Sequence, residues 1–320
     1  MNNNLKIQFL LLSDGITHKF LGINPVKGLQ QLNITAKYYF PRRNIGEIID
    51  NPDYVFILKP NPSDEELIKS IKKTNTKICL IINDQETPKN IIPYIDFYVS
   101  PSLQWLTGGT PSYLILEEFD CVPYSKKHIN TDCKLVIMSY KESIVQYLSS
   151  IINVIHPFFP NITIVSNFSN KEIETKNILP SSFYKCSLKI FAPSAHYMLN
   201  DGHDQKMIDQ FKDYDIGIET QIPERNARTS NGVKIFMYAG LPVISHFSLN
   251  NTNIWFNNSN EETFFVKKPD DWLKHLNFLK NPSIRQNISE KNKNISINNA
   301  GIINSAKSFM EAIEKYESNN

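Results

Sequence analysis

The sequence predicts an α/β protein built as two domains with parallel sheets. Three observations carry that expectation: short apolar runs bounded by polar or turn residues, helical patterns between them, and a restart of the whole pattern near the middle of the chain. At 320 residues the chain has room for two domains, since about 150 residues make a typical one. Its content, 41% hydrophobic and 21% charged, suits a sizeable core.

The elements follow in order. LKIQFLLL (5–12), DYVFILK (53–59), KICLIIN (77–83) and DFYVS (96–100) read as strands buried on both faces of a parallel sheet. Between the second and third lies SDEELIKSIKK, in which Ser63 and Glu66 make a capping-box pattern that opens a helix. Strand, helix and strand at these spacings indicate right-handed βαβ units. Residues 119–131, FDCVPYSKKHINT, lose the periodicity and gain polar and turn residues, as a linker does.

The pattern then restarts. KLVIMSY (134–140) begins it, the amphipathic run ESIVQYLSSIINVIHPFF follows, and ITIVS (162–166) and LKIFAPS (188–194) read as strands. DQKMIDQFKDY is a predicted helix, DIGIE (215–219) a strand, and TFFVKK (263–268) another strand. The end is helical: DDWLKHLNFLK, then INSAKSFMEAIEKYES with an apolar stripe at Ile303, Phe309, Ala312 and Ile313. The expected division is therefore 1–125, 126–300 and a terminal helix over 301–320.

Composition also narrows the function. A net charge of +2, with Lys and Arg dispersed, lacks the clustered basic face of a nucleic-acid binder. Cys79, Cys121, Cys133 and Cys186 are scattered with no CxxC pair and read as small hydrophobes in a reducing compartment. No signal pattern stands at the N-terminus and no apolar run reaches the roughly 20 residues of a membrane span. The expected location is the cytoplasm, with membrane contact at most peripheral.

The segment most suited to chemistry is RTSNGVKIFMYAGLPVI (228–244). Ser230 and Asn231 are good N-cap residues, Val233, Phe236 and Met237 recur at helical spacing, and Gly240 and Pro242 stop the helix before PVISHF resumes as a strand. A helix N-terminus with Arg228 and Lys234 beside it favours an anion, above all a phosphate. The plain alternative is an ordinary capped helix with two surface cations.

DIGIETQIPERNARTSNGVKIFMYAGLPVIS resembles the donor-binding segment of nucleotide-sugar glycosyltransferases with two Rossmann-like domains, the GT-B class. The matching residues are Asp215 to Ile218, Ser230-Asn231, and Ala239 to Ile244. The resemblance covers roughly residues 210–248, and the order of elements over the whole chain is compatible with it. Two positions depart: Gly232 stands where the family has a basic residue, and Ile235 where it often has Glu.

The resemblance implies two parallel sheets facing across a cleft, with a final helix that often crosses back to the first domain. It implies a nucleotide-sugar co-substrate, no resident cofactor and no required metal. Arg228, Ser230, Asn231 and Lys234 would surround the diphosphate, and Glu219 or Glu224 would take the ribose. The first domain would hold a glycan, glycolipid or protein acceptor. Its opening segment, LSDGITHKFLGINPVKGLQ, is expected to be a flexible loop at the end of the first strand. There Asp14 and His18 are the catalytic candidates, His18 to orient or deprotonate an acceptor hydroxyl. Gly15 and Lys19, with Asp84 and Glu86 of NDQE (83–86), are acceptor-side candidates.

The histidines form no HExxH or HxH pattern, and DGHD (201–204) reads as the cap of a helix rather than a metal loop. Two further functions fit the same architecture: a nucleotide-sugar epimerase, and a module that binds a nucleotide-sugar or glycan without turning it over.

Overall fold

Each apolar run that alternates with a helical one buries both faces, and the chain folds into two parallel sheets covered by helices. The structure, a computed structural model, describes residues 5–12, 17–72, 75–83, 86–102, 105–106, 110–138, 148–166, 186–190, 202–220, 231–246, 263–299 and 301–319.

The strands are β1 (Lys6–Leu11), β2 (Thr35–Phe40), β3 (Ile45–Gly46), β4 (Tyr54–Leu58), β5 (Lys77–Ile81), β6 (Phe97–Ser100), β7 (Ser112–Leu114), β8 (Leu135–Met138), β9 (Ile162–Ser166), β10 (Ser187–Ile190), β11 (Ile216–Glu219), β12 (Val243–His246) and β13 (Thr263–Val266). The α-helices are α1 (Asn24–Gln31), α2 (Glu65–Lys72), α3 (Ser149–Ile155), α4 (His203–Asp209), α5 (Asn231–Tyr238), α6 (Asp270–Phe278), α7 (Pro282–Asn299) and α8 (Ile302–Ser318). The first sheet runs β3-β2-β1-β4-β5-β6-β7 and the second β10-β9-β8-β11-β12-β13. All neighbours pair in parallel except the short β2–β3 contact.

The strand order reverses between β1 and β4 in one sheet and between β8 and β11 in the other. Those switch points are where open α/β sheets leave a crevice beyond the carboxyl ends of their strands.

The terminal helix does cross back. Phe309 of α8 packs edge-on at 5.3 Å from Phe9 and 5.1 Å from Phe56, and Tyr316 stacks on Phe97 at 4.5 Å. Ser305 Oγ donates to the Leu116 carbonyl, and the Leu116 N–H donates to Ser308 Oγ. The helix therefore completes the first sheet's core, although it follows the second sheet in sequence.

The opening segment differs from the expected loop. Lys19–Ile23 forms one π-type turn that runs into α1, whose Pro25 sits in the first turn, where no N–H is needed. Gly28 sits where α1 meets α8. A Cβ there would stand 2.1 Å from the Ile302 carbonyl oxygen, so only glycine lets α1 and α8 approach this closely.

Residues 115–134 contain no helix, and β8 begins at Leu135. This linker is pinned to the second sheet's helices. The Tyr124 N–H donates to the Tyr238 carbonyl, and His128 Nε2 lies 2.7 Å from Ser289 Oγ and 3.2 Å from the Gly240 carbonyl. Arg285, fully buried, donates to the carbonyls of Leu279, Lys280 and Asn130. Ser289, His128 and Asp215 superficially resemble a hydrolase triad. All three are buried, and Ser289 Oγ donates to the Gly240 carbonyl, so the cluster fastens the linker rather than attacking a substrate.

Candidate functional site

Side chains from three of the helices converge on one place between the two sheets. Asn24 opens α1, Asp204 lies in the first turn of α4, and Lys234 lies in the first turn of α5. Asn24 Nδ2 donates to Asp204 Oδ2 at 2.8 Å and to the Glu118 carbonyl at 2.9 Å. Lys234 Nζ donates to the Glu117 carbonyl at 2.6 Å and to Glu118 Oε1 at 3.0 Å. Asp204 Oδ2 also accepts the Asp120 N–H at 2.7 Å. The carboxyl edges of both sheets therefore open toward one seam. An aromatic ladder lines it: Phe20 meets Phe119 at 4.8 Å and Phe119 meets Tyr238 at 5.5 Å, both edge-on.

The seam encloses a buried ion pair. Glu118 and Lys234 are 0% and 3% exposed, so their ion pair lacks solvent screening and depends on its hydrogen bonds. Lys234 was expected beside a diphosphate. Its ammonium instead ties α5 to the linker, because the helix presents it to Glu117 and Glu118 across the seam.

On the second sheet's edge, Glu219 ends β11 and is 6% exposed. Its Oε2 accepts the Ser245 hydroxyl at 2.7 Å. Gly232 in α5 faces it, and a Cβ on Gly232 would lie 2.5 Å from Glu219 Cγ. Asn231 opens α5 beside them, and His246 ends β12 with its ring edge-on to Trp272 at 5.2 Å. Burial holds the His246 imidazole below its ordinary pKa, which keeps it neutral at pH 7. Ile235, at the position of the missing helix Glu, is 5% exposed and packs in the apolar cluster under the seam.

Arg228, Ser230 and Glu224 lie outside the described residues, as do Asp14, Gly15 and Asp84. His18 and Lys19 are 2% and 1% exposed, and the His18 ring lies 5.1 Å from that of Phe40. Glu86 is exposed and, with Lys59 and Asn83, borders a shallow pocket beyond β4 and β5. Lys59 itself has a left-handed backbone, φ 54°, just after β4 at the switch point.

Asn24, Glu118, Ser245 and His246 were not singled out from sequence. The pair Glu117-Glu118 carried a usable signal: two acids inside the apolar stretch YLILEEF, where a buried carboxylate needs a partner. The helix expected at DGHD is present, but it starts at His203, and Asp204 serves the seam. Among the described residues, no group of His, Cys, Asp and Glu is arranged to hold a metal, and no helix is long and apolar enough to cross a membrane.

No protein-family model and no curated protein matches the sequence. Solved structures do match over nearly the full length. A glycosyltransferase from Rickettsia africae superimposes with a TM-score of 0.68 at 14% identity, covering 99% of this chain and 100% of that one. HepE of Anabaena, solved in complex with UDP, gives 0.62 at 10% identity, covering 97% and 100%. A structure from Listeria monocytogenes assigned as a UDP-N-acetylglucosamine 2-epimerase gives 0.53 at 11% identity, covering 98% of each. The chain thus has the two-domain GT-B fold of these proteins.

Proposed function

We propose that the protein is a glycosyltransferase that moves a sugar from a nucleotide-diphosphate sugar to a glycan, glycolipid or protein acceptor. The observation that carries this reading is the convergence of both sheets' carboxyl edges, with their switch points, on one seam. The full-length likeness to glycosyltransferases, one of them holding UDP, supports it.

In this reading the β11–β12 edge holds the donor, with Glu219 and Asn231 in place and Arg228, Ser230 and Glu224 supplied by the segment before α5. Arg228 and main-chain N–H groups would stabilise the leaving diphosphate without a metal or a resident cofactor. Lys234 is a positioning residue that sets α5 against the linker. The first sheet's edge would hold the acceptor, with His18 and Asp14 the candidates to orient or deprotonate its hydroxyl. His18 and Lys19 are buried beside it, and Gly15, Asp84 and Glu86 are the acceptor-side candidates. Closing the seam over both substrates excludes water and limits donor hydrolysis. The domain limits for this division of labour are 1–125 and 126–300, with 301–320 returning to the acceptor side. The working compartment is the cytoplasm.

The test is to incubate the protein with UDP-, GDP-, ADP-, CMP- and dTDP-sugars and follow nucleotide release and sugar identity. Slow release of one nucleoside diphosphate is the expected result. Interconversion of the sugar without release would instead favour epimerisation, a reading that the Listeria likeness supports. Binding without either outcome would identify a non-catalytic module.

A further inference from the structure

Four exposed apolar side chains gather on one edge of the second sheet: Ile129, 78% exposed, Phe158, 55%, Phe278, 51%, and Val154, 37%. Val154 lies in the last turn of α3 and Phe158 in the turn that leads on to β9. Helix α3 packs beside α6, which ends at Phe278. Arg285 ties in the linker: it donates to the carbonyls of Leu279 and Lys280, just past Phe278, and to that of Asn130, next to Ile129. The Leu135 N–H donates to the Asn161 carbonyl, so these segments stand where β8 and β9 begin. This amino edge is opposite the carboxyl edge, where Glu219 ends β11.

Single exposed apolar residues are ordinary, whereas a cluster of them marks a contact surface. The local structure holds one ring outward. Pro157 and Pro160 frame Phe158-Phe159, and the N–H groups of both phenylalanines donate to the Ile155 carbonyl. Phe159 is buried beneath Lys280, whose Nζ lies 4.7 Å from the ring centroid, while Phe158 faces solvent. Charge on the same edge is uneven. On the segments that lead into β8, β9 and β11 and on the one that follows α6, the exposed cations are Lys127, Lys134, Lys212 and Lys280, and the exposed acids are Asp132 and Asp213. Apolar rings on turns and helix ends, flanked by an excess of lysine, match the interface of an anionic lipid layer.

We propose that the amino edge of the second sheet docks the protein on a membrane surface containing anionic lipid. Phe158, Phe278, Val154 and Ile129 enter the interfacial layer, and the lysines meet the phosphate-bearing head groups. The donor edge points the other way, so docking places the protein without covering that edge. The inference concerns where the protein works and is independent of the reaction proposed above.

Flotation of the full chain with vesicles tests this. Vesicles of phosphatidylcholine alone are compared with vesicles that also contain phosphatidylglycerol. Wild type should bind the anionic vesicles about tenfold or more tightly than the neutral ones, and added salt should remove most of that preference. The double variant Phe158→Ser, Phe278→Ser should bind the anionic vesicles about tenfold or more weakly than wild type, through lost apolar burial. The double variant Lys127→Glu, Lys280→Glu should be weakened by a similar factor, through lost attraction. Both should melt as wild type does and leave nucleotide release unchanged.

The proposal is overturned if wild type binds neither kind of vesicle, or if both double variants bind as wild type does. Loss in the lysine variant alone also overturns it, since that is the purely ionic contact an acidic protein would make. Loss in the phenylalanine variant alone does the same, by showing an apolar contact with no preference for charge. Should the phenylalanine double variant melt early, Phe158→Gln and Phe278→Gln carry the test singly, because each ring is largely in solvent. A wild type that binds anionic vesicles but releases no nucleotide overturns the proposed function and leaves this inference standing.

Discussion

Glu219 and Gly232 are a matched pair: a Cβ on Gly232 would stand 2.5 Å from Glu219 Cγ, so the carboxylate lies on the first turn of α5 only because residue 232 has no side chain. The departure from a basic residue at this position is thereby explained, since any side chain would displace the carboxylate held by Ser245.

Gly232→Ala should therefore destabilise the second domain by about 1–3 kcal/mol, the usual effect of overpacking. Glu219→Ala in the same chain should relieve most of that loss. Urea titration of the two single variants and the double variant measures it, and simple additivity would refute the pairing.

Lys234→Met leaves the Glu118 carboxylate buried without its cation and should destabilise by about 3–5 kcal/mol. Lys234→Met with Glu118→Gln should recover a large part of this, because the remaining charge is removed. Thermal melts of the cycle check the expectation, and a double variant as unstable as the single one would contradict it.

Asp215 supplies the pH dependence. Burial acts to raise its carboxyl, but the hydrogen bond with His128, the Lys134 N–H at 2.9 Å, and the Lys126 and Arg285 cations outweigh burial and hold it below the ordinary value. A depressed carboxylate stabilises the fold fully above its unfolded value, about 3.9, and loses that contribution as pH falls through the folded value. The stability gap between wild type and Asp215→Asn should therefore be constant from pH 8 to about 5. It should shrink below about pH 4. A gap that widened on acidification would be inconsistent with this network.

Phe309→Ala removes the ring that packs edge-on against both Phe9 and Phe56 and should lower stability by about 3–5 kcal/mol. Because α8 packs in the first sheet's core, limited proteolysis should then cut first within residues 5–114 and not in the second sheet. Preferential cleavage of the second sheet would show that α8 belongs elsewhere.

Much of the fold was legible because apolar runs buried on both faces leave a plain pattern. β1, β4, β5, β6, β8, β9, β11 and β13 all fall within runs read as strands, the helices α2, α5 and α6 within runs read as helical, and α4 and α8 begin one residue before theirs. β2 and α7 left weaker marks. TAKYYF has little alternation, and PSIRQNISEKNKNISINN has a polar composition that hides the buried Arg285, Ser289 and Asn292.

What the sequence by itself determined was local: two α/β units, a capped helix before AGLPVI, and an amphipathic helix at the end. Tertiary structure alone decided where charge and close contact fall. Lys234 could be read as a cation near a helix start, but only the folded chain brings it to Glu118, 116 residues earlier in sequence. Gly28 looks like a helix breaker until Ile302 is found against it. The physical reason is the same in both cases. Hydrophobic periodicity is written in neighbouring residues, whereas a buried ion pair or a close backbone contact depends on partners that only the completed packing of two sheets brings together.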